Sequence, residues 1–196
     1  RLYLLAGSVL LLTTLSVGTV VYLQDDFKAL TGQTSTPTTD TVRIELSENG
    51  AKVSSDAVNV SEGTVTITKA GQYEITGQAP TVTVQVADSV SNDVTLRLNN
   101  ASLASLDLQS SGANIVELAK ESTNSLAGGE VGISATNITL TGEGSLAISE
   151  VNSYGILATD DLVIDSGNLS IDSAGSGLYA FHETKASQGN LTINGG

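Results

Sequence analysis

From Val94 onward the chain repeats one short phrase, and this repeat restricts the fold more than any single residue does. Its clearest copies are Gly132-Ile133-Ser134-Ala135, Gly155-Ile156-Leu157-Ala158 and Gly177-Leu178-Tyr179-Ala180, each followed by a polar corner and then an alternating strand. Aligning those second strands on Leu96, Ile115, Ile138, Leu162 and Leu191 gives successive differences of 19, 23, 24 and 29 residues. Such a period, with corners of Asn, Asp, Ser, Thr and Gly, is what stacked β-coils require. A third short strand closes each coil, at Asn124-Ser125-Leu126, Ser145-Leu146-Ala147-Ile148 and Asn168-Leu169-Ser170-Ile171. Three such strands make one triangular rung of a parallel β-helix. Alternation points Ile138, Leu140, Leu162, Ile164, Leu169 and Ile171 inward, and Thr139, Val163 and Ser170 outward. The predicted class is therefore all-β, a parallel β-helix or solenoid. A β-sandwich is the rival, since short alternating strands with frequent turns suit it too.

Composition narrows the function. The 196 residues include no Cys, Met or Trp, and 21 acids against 8 bases give a formal charge of −13. Without Cys there is no disulfide scaffold, thiolate zinc site or cysteine nucleophile. A net negative surface repels nucleic acid and anionic headgroups, so neither is an expected ligand. From Leu2 to Leu23 no residue is charged. As a helix rising 1.5 Å per residue that run would be roughly 33 Å long, enough to cross a hydrocarbon core of about 30 Å. Residues 1–24 are thus read as one N-terminal transmembrane helix, with a cleaved secretory signal as the alternative. Arg1 before the run and Asp25-Asp26 after it place the start in the cytoplasm and the large domain outside, a single-pass cell-membrane protein. Thr14 and Gly18 form a small-xxx-small pair that would let the helix pack on a partner span, or are simply tolerated in a lone one.

Residues 25–40 follow as a Thr-rich linker, and residues 41–100 as the N-terminal strands and cap of the solenoid, whose coils fill 101–196. Within the cap, Thr64-Val65-Thr66-Ile67-Thr68 and Gln72-Tyr73-Glu74-Ile75-Thr76-Gly77 read as a hairpin around Ala70-Gly71. The order of pieces is informative. The stretch Val65 to Gly77, then Val94-Thr95-Leu96-Arg97-Leu98-Asn99-Asn100-Ala101, then coils of the type Asp160-Asp161-Leu162-Val163-Ile164, resembles a bacterial family of secreted, carbohydrate-binding, calcium-binding parallel β-helix proteins. The resemblance runs from Val42 to Gly196. It implies a right-handed helix, bound calcium, and acidic or cellulosic polysaccharide as ligand. The Asp loops here, around Asp88-Ser89 and Asn92-Asp93, are sparser than the family's, and the solenoid is expected to be incomplete at Gly196.

Stacking of rungs at about 4.8 Å brings the Asp160-Asp161 corner near Asn137 in one neighbouring coil and Asn190 in another, and sets Asp172 near Glu150. Oxygen donors of this kind suit Ca²⁺, which makes Asp160, Asp161, Asp172 and Glu150 the candidate metal ligands. Equally, Asp and Asn occupy corners because they tolerate tight turns and bond their own backbone. The same holds for the Asn-x-Ser/Thr sequons at Asn59, Asn100, Asn137, Asn168 and Asn190, which serve as an internal Asn ladder or as glycosylation sites. Bases are few (Arg97, Lys120, Lys185 and His182 in the solenoid body), and His182, in the insertion Phe181-His182-Glu183-Thr184-Lys185, is the best candidate for acid-base chemistry or else an ordinary exposed loop histidine. Tyr179, Phe181 and His182 are the candidate ligand-binding residues, the rings stacking on a sugar, with packing as the equal alternative for Tyr179. The leading expectation is a membrane-anchored, non-catalytic carbohydrate-binding or adhesive β-helix directed at acidic or cellulosic polysaccharide, with calcium dependence as the signature of the acidic case. The second is a structural or accessory subunit that packs through its helix on a membrane protein or associates with itself. The third is a polysaccharide lyase.

Overall fold

The computed structural model describes residues 40–48 and 50–196, together with Tyr3–Leu5 and Val9–Leu11. Each regular element among them is a β-strand. Tyr3–Leu5 and Val9–Leu11 pair antiparallel, so the chain is extended at these positions, where the sequence predicts helix. Aromatic and β-branched side chains such as Tyr3 and Val9 suit a pleated strand. The rest of the predicted span over 1–24, and the linker up to residue 39, lie outside the described residues. Among the described residues no helix is long and apolar enough to cross a membrane.

Residues 40–196 belong to one compact unit, a β-solenoid of about five turns with three faces. On the first face, Val42–Ser47 is followed by residues 71–75 and 94–98, then Asn114–Leu118, Ile138–Gly142, Leu162–Ile164 and Leu191–Ile193, each parallel to the next. The second face stacks residues 77–79 and 101–103, Thr123–Ala127, Ser145–Val151 and Asn168–Ser173. The third stacks Thr64–Ile67, residues 83–86 and 105–108, Val131–Ala135, Tyr154–Ala158 and Ser176–Ala180. The predicted triangular rung is what the chain builds, and its alternation is the reason. In most strands every second side chain enters a shared interior, where Tyr73, Leu96, Val116 and Leu140 form one buried row and Leu103, Leu126 and Ile148 another. Each buried aliphatic contributes about 1.5–3 kcal/mol.

Two expectations are corrected. The aligned first-face positions are Val94, Asn114, Ile138, Leu162 and Leu191, so the spacings are 20, 24, 24 and 29 residues. Ile115 points outward and Asn114 inward, the reverse of what polarity suggests, and a one-residue slip exchanges faces. Asn114 is tolerated inside because its carboxamide donates to the Leu108 and Ser110 carbonyls and accepts from the Ser110 hydroxyl. Nor do Thr64–Ile67 and residues 72–77 form a hairpin. They lie on different faces, each parallel to its stacking neighbour, and Ala70-Gly71 is a corner. The antiparallel hairpins are instead Val42–Ser47 with Gly50–Val53 and Val58–Ser61 with Thr64–Ile67.

In two copies of the repeated phrase the glycine has a steric cause. A β-carbon on Gly132 would collide with the Ile148 side chain and one on Gly155 with Ile171, so these two rungs close only because no side chain is present there. Corner polar residues tie rungs together. Asn124, 1% exposed, accepts from the Ala101 amide and donates to Ser122 Oγ and to the Ser145 carbonyl. On the outer side of the first face Arg43, Glu74, Arg97 and Glu117 stand in register, and Arg97 Nη1 lies 3.0 Å from Glu117 Oε1.

Candidate functional site

The outward row of the third face changes character along the stack. It reads Thr66, Gln85, Asp107, Ser134, Leu157, Tyr179 in register. The first four are polar and bond locally, as Gln85 Nε2 does to Thr66 Oγ1 at 2.8 Å and Gln109 Nε2 to Asp107 and Ser134 at 2.6 and 3.3 Å. At the last two rungs the row becomes apolar. There Tyr179 stacks on Tyr154 of the preceding rung, with ring centroids 5.2 Å apart and planes inclined by 28°. Phe181 continues the series, its centroid 5.6 Å from Tyr179 at 38°. Tyr179 is 41% exposed. The three rings form an aromatic track on the outside of the last rungs, Phe181 standing just past the strand end, and paired rings of this kind hold one another in place. Of this track, Tyr154 lacks any prediction from sequence. Its signal was positional, for it precedes Gly155 by one residue, just where a side chain leaves the corner and turns outward.

Beyond Tyr179 the chain enters the insertion at 181–190. The Phe181 amide donates to the Ala158 carbonyl, which anchors the loop to the rung before it. His182 organises the turn, its Nδ1 accepting from the Thr184 and Lys185 amides at 3.2 and 3.0 Å. With Nδ1 so engaged, the imidazole acts as a turn-former.

Asp160 and Asp161 lie beneath this loop, at the corner between the third and first faces. Asp161 Oδ1 accepts from the Asn190 amide and carboxamide at 2.9 and 2.8 Å, and the Asp161 carbonyl accepts from the Ile138 amide. The corner therefore meets its predicted neighbours, the first-face entry after Asn137 and Asn190. These Asn190 donors hold the Asp161 carboxyl below its ordinary value. Asp160 Oδ2 accepts from Gln188 Nε2 at 2.9 Å. Asp160 Oδ1 and Gln188 Oε1 are shielded from solvent and have no donor among the described residues. Glu150 and Asp172 occupy the opposite corner, between the second and third faces. The register shift after Ile148 places residues 149–150 against Asp172, and Glu150 adopts a left-handed φ of 57° in this bulge. The four carboxylates predicted as metal ligands thus fall into two pairs at different corners, and among the described residues no three His, Cys, Asp or Glu are grouped to hold a metal.

The sequence model of a family described as carbohydrate-binding domain-containing protein matches residues 61–196. The chain belongs to this carbohydrate-binding family. The match takes in nearly the whole solenoid, including the aromatic track and the insertion. Neither the curated proteins nor the solved structures include one that matches the chain. A carbohydrate-binding domain acts by presenting a surface to a sugar chain.

Proposed function

We propose that the protein is a non-catalytic polysaccharide-binding solenoid of the cell surface, and that the sugar chain lies along Tyr154, Tyr179 and Phe181. The observation that carries this reading is the aromatic track itself, three adjoining rings on the outer side of the last rungs. Pyranose rings present C–H faces that pack on aromatic rings, and hydroxyls at the rim find the polar side chains around the track. His182 contributes by shaping the loop that carries Phe181.

The apolar N-terminal segment would hold the domain at the membrane with the solenoid outside, and the Thr-rich linker would set its reach. A right-handed coil is proposed as well, the hand that about 98% of parallel crossover connections take.

Cellulosic chains would bind directly, whereas a polyuronide approaches a unit that carries the full −13 charge. Calcium is proposed as the bridge. Asp160 with Asp161 at one corner, and Glu150 with Asp172 at the other, each offer too few oxygens to complete the six to eight that Ca²⁺ takes, so uronate oxygens would supply the remainder. The donor set fits a shared ion rather than a resident one.

Sedimentation of the full chain with insoluble cellulose and with insoluble polyuronide, in Ca²⁺ and again in EDTA, tests the reading. Cellulose binding indifferent to EDTA and polyuronide binding abolished by it are expected. Failure to bind either polymer in either buffer would refute the proposal.

A further inference from the structure

The charge around the aromatic track selects among sugars. From Glu121 to Gly196 the chain carries nine carboxylates, one lysine and one histidine. The carboxylates border the track on both sides. Before the third face stand Glu130, which accepts from Ser153 Oγ at 2.9 Å next to Tyr154, and the Glu150–Asp172 bulge. After it stand Asp160 and Asp161, with Glu183 in the loop that follows Phe181. The lysine of this region, Lys185, and His182 both lie in that loop. Elsewhere on the solenoid, Arg43, Lys69, Arg97 and Lys120 are engaged in ion pairs with Glu74, Asp56, Glu117 and Glu143.

Aromatic faces attract cations through the ring quadrupole, and carboxylates at both borders add a field of the same preference. From this complementarity we infer that, in the absence of divalent cations, the track prefers a glycan bearing free amines, of the glucosamine type, over its neutral N-acetylated counterpart and over polyuronide. The inference rests on the reading of Tyr154, Tyr179 and Phe181 as the sugar-binding surface and adds the chemical class. Each protonated amine places a cation against a ring face or a bordering carboxylate, while the pyranose rings keep their stacking. A uronate chain reverses the first interaction, and an N-acetylated chain lacks it.

The test titrates the full chain, in EDTA at mildly acidic pH and low salt, with glucosamine, N-acetylglucosamine and galacturonate oligomers of equal length. The glucosamine oligomer is expected to bind about tenfold tighter than the N-acetylated one, the effect of one or two cation–ring contacts. Added salt should erase the preference, because exposed charges are screened within about 10 Å at 0.1 M ionic strength. Tyr179→Ala should remove most of the binding and Tyr179→Phe should retain it. Equal affinity for the two amino-sugar oligomers, or galacturonate binding in EDTA, would overturn the inference and leave the carbohydrate reading standing. Amine preference undiminished in Tyr179→Ala would also overturn it, by assigning the attraction to the acidic surface at large. Binding of none of the three oligomers would overturn the inference, while the cellulose sedimentation above decides separately whether the carbohydrate reading stands.

Discussion

Tyr154 and Tyr179 belong to successive rungs, 25 residues apart in sequence, yet their rings stack with centroids at 5.2 Å. The repeat of the solenoid creates this contact, since Tyr154–Ala158 and Ser176–Ala180 run parallel with Leu157 opposite Tyr179. Tyr154 therefore serves Tyr179 as a backing plate. Removing it by Tyr154→Ala is expected to weaken polysaccharide binding by about two- to tenfold, the equivalent of an aromatic pair of about 0.5–1.5 kcal/mol. Because both rings lie outside the core, the melting temperature should change little. Titration with a soluble oligosaccharide, paired with a thermal melt, checks both halves.

The corner glycines support a second prediction. A β-carbon at Gly155 meets Ile171 Cγ2 and lies 2.6 Å from the Gly177 carbonyl oxygen. Gly155→Ala should cost about 1–3 kcal/mol, as overpacking does, and lower the melting temperature by several degrees. Ile171→Ala in the same chain should relieve only part of the added strain, because the carbonyl remains. A double-mutant cycle of thermal melts reads the coupling.

The same glycines explain how much was legible in the sequence. The phrase Gly-Ile/Leu-x-Ala recurs at Gly132, Gly155 and Gly177, and at the first two of these one steric demand recurs, so the later rungs could be read by period alone. The earlier turns run through the long strands Gly71–Val86 and Val94–Leu108, where Ser105-Leu106-Asp107-Leu108 takes the place of the phrase without its glycine. There the period fades and polarity misleads, as at Asn114 and Ile115. At the site, Tyr179 and Phe181 were visible as exposed aromatics beside an insertion. Tyr154 was not, because its importance lies in a stacking contact across a rung. The pairing of Asp160 with Gln188 was hidden for a similar reason, since it depends on how a loop of irregular length folds back.

The buried Asn124 supports a third prediction. Leu146 occupies the register position next to it, so a leucine fits there by volume. Asn124→Leu nonetheless strands the Ala101 amide and the Ser145 carbonyl, which the carboxamide now satisfies. A loss of about 1–3 kcal/mol is expected despite the more apolar side chain. Denaturant unfolding measures it. An unchanged midpoint would show that these corner bonds exchange freely for others.

Asp161 supports a prediction about pH. Donors from Asn190 hold its carboxyl below the ordinary 3.8, so the ionised form is the one that grips the insertion. The attachment is fully present above that ordinary value and is lost as pH falls through the lower folded-state value. The side chain is only partly buried, so the effect on global stability is small. Hydrogen exchange at the Asn190 amide should therefore accelerate, relative to its intrinsic rate, as acid protonates Asp161. Asp161→Asn should weaken the protection at neutral pH and flatten its dependence on acid.

The central claim is that sugar lies on the aromatic track, and ring-selective NMR tests it most directly. With tyrosine and phenylalanine rings labelled in the full chain, addition of a soluble cellulosic oligosaccharide should shift the Tyr154, Tyr179 and Phe181 ring signals. Tyr73, buried in the interior with its hydroxyl bonded to the Lys69 carbonyl, should stay unmoved. Binding that leaves all three track rings unshifted would contradict the account and place the carbohydrate site on another face of the solenoid.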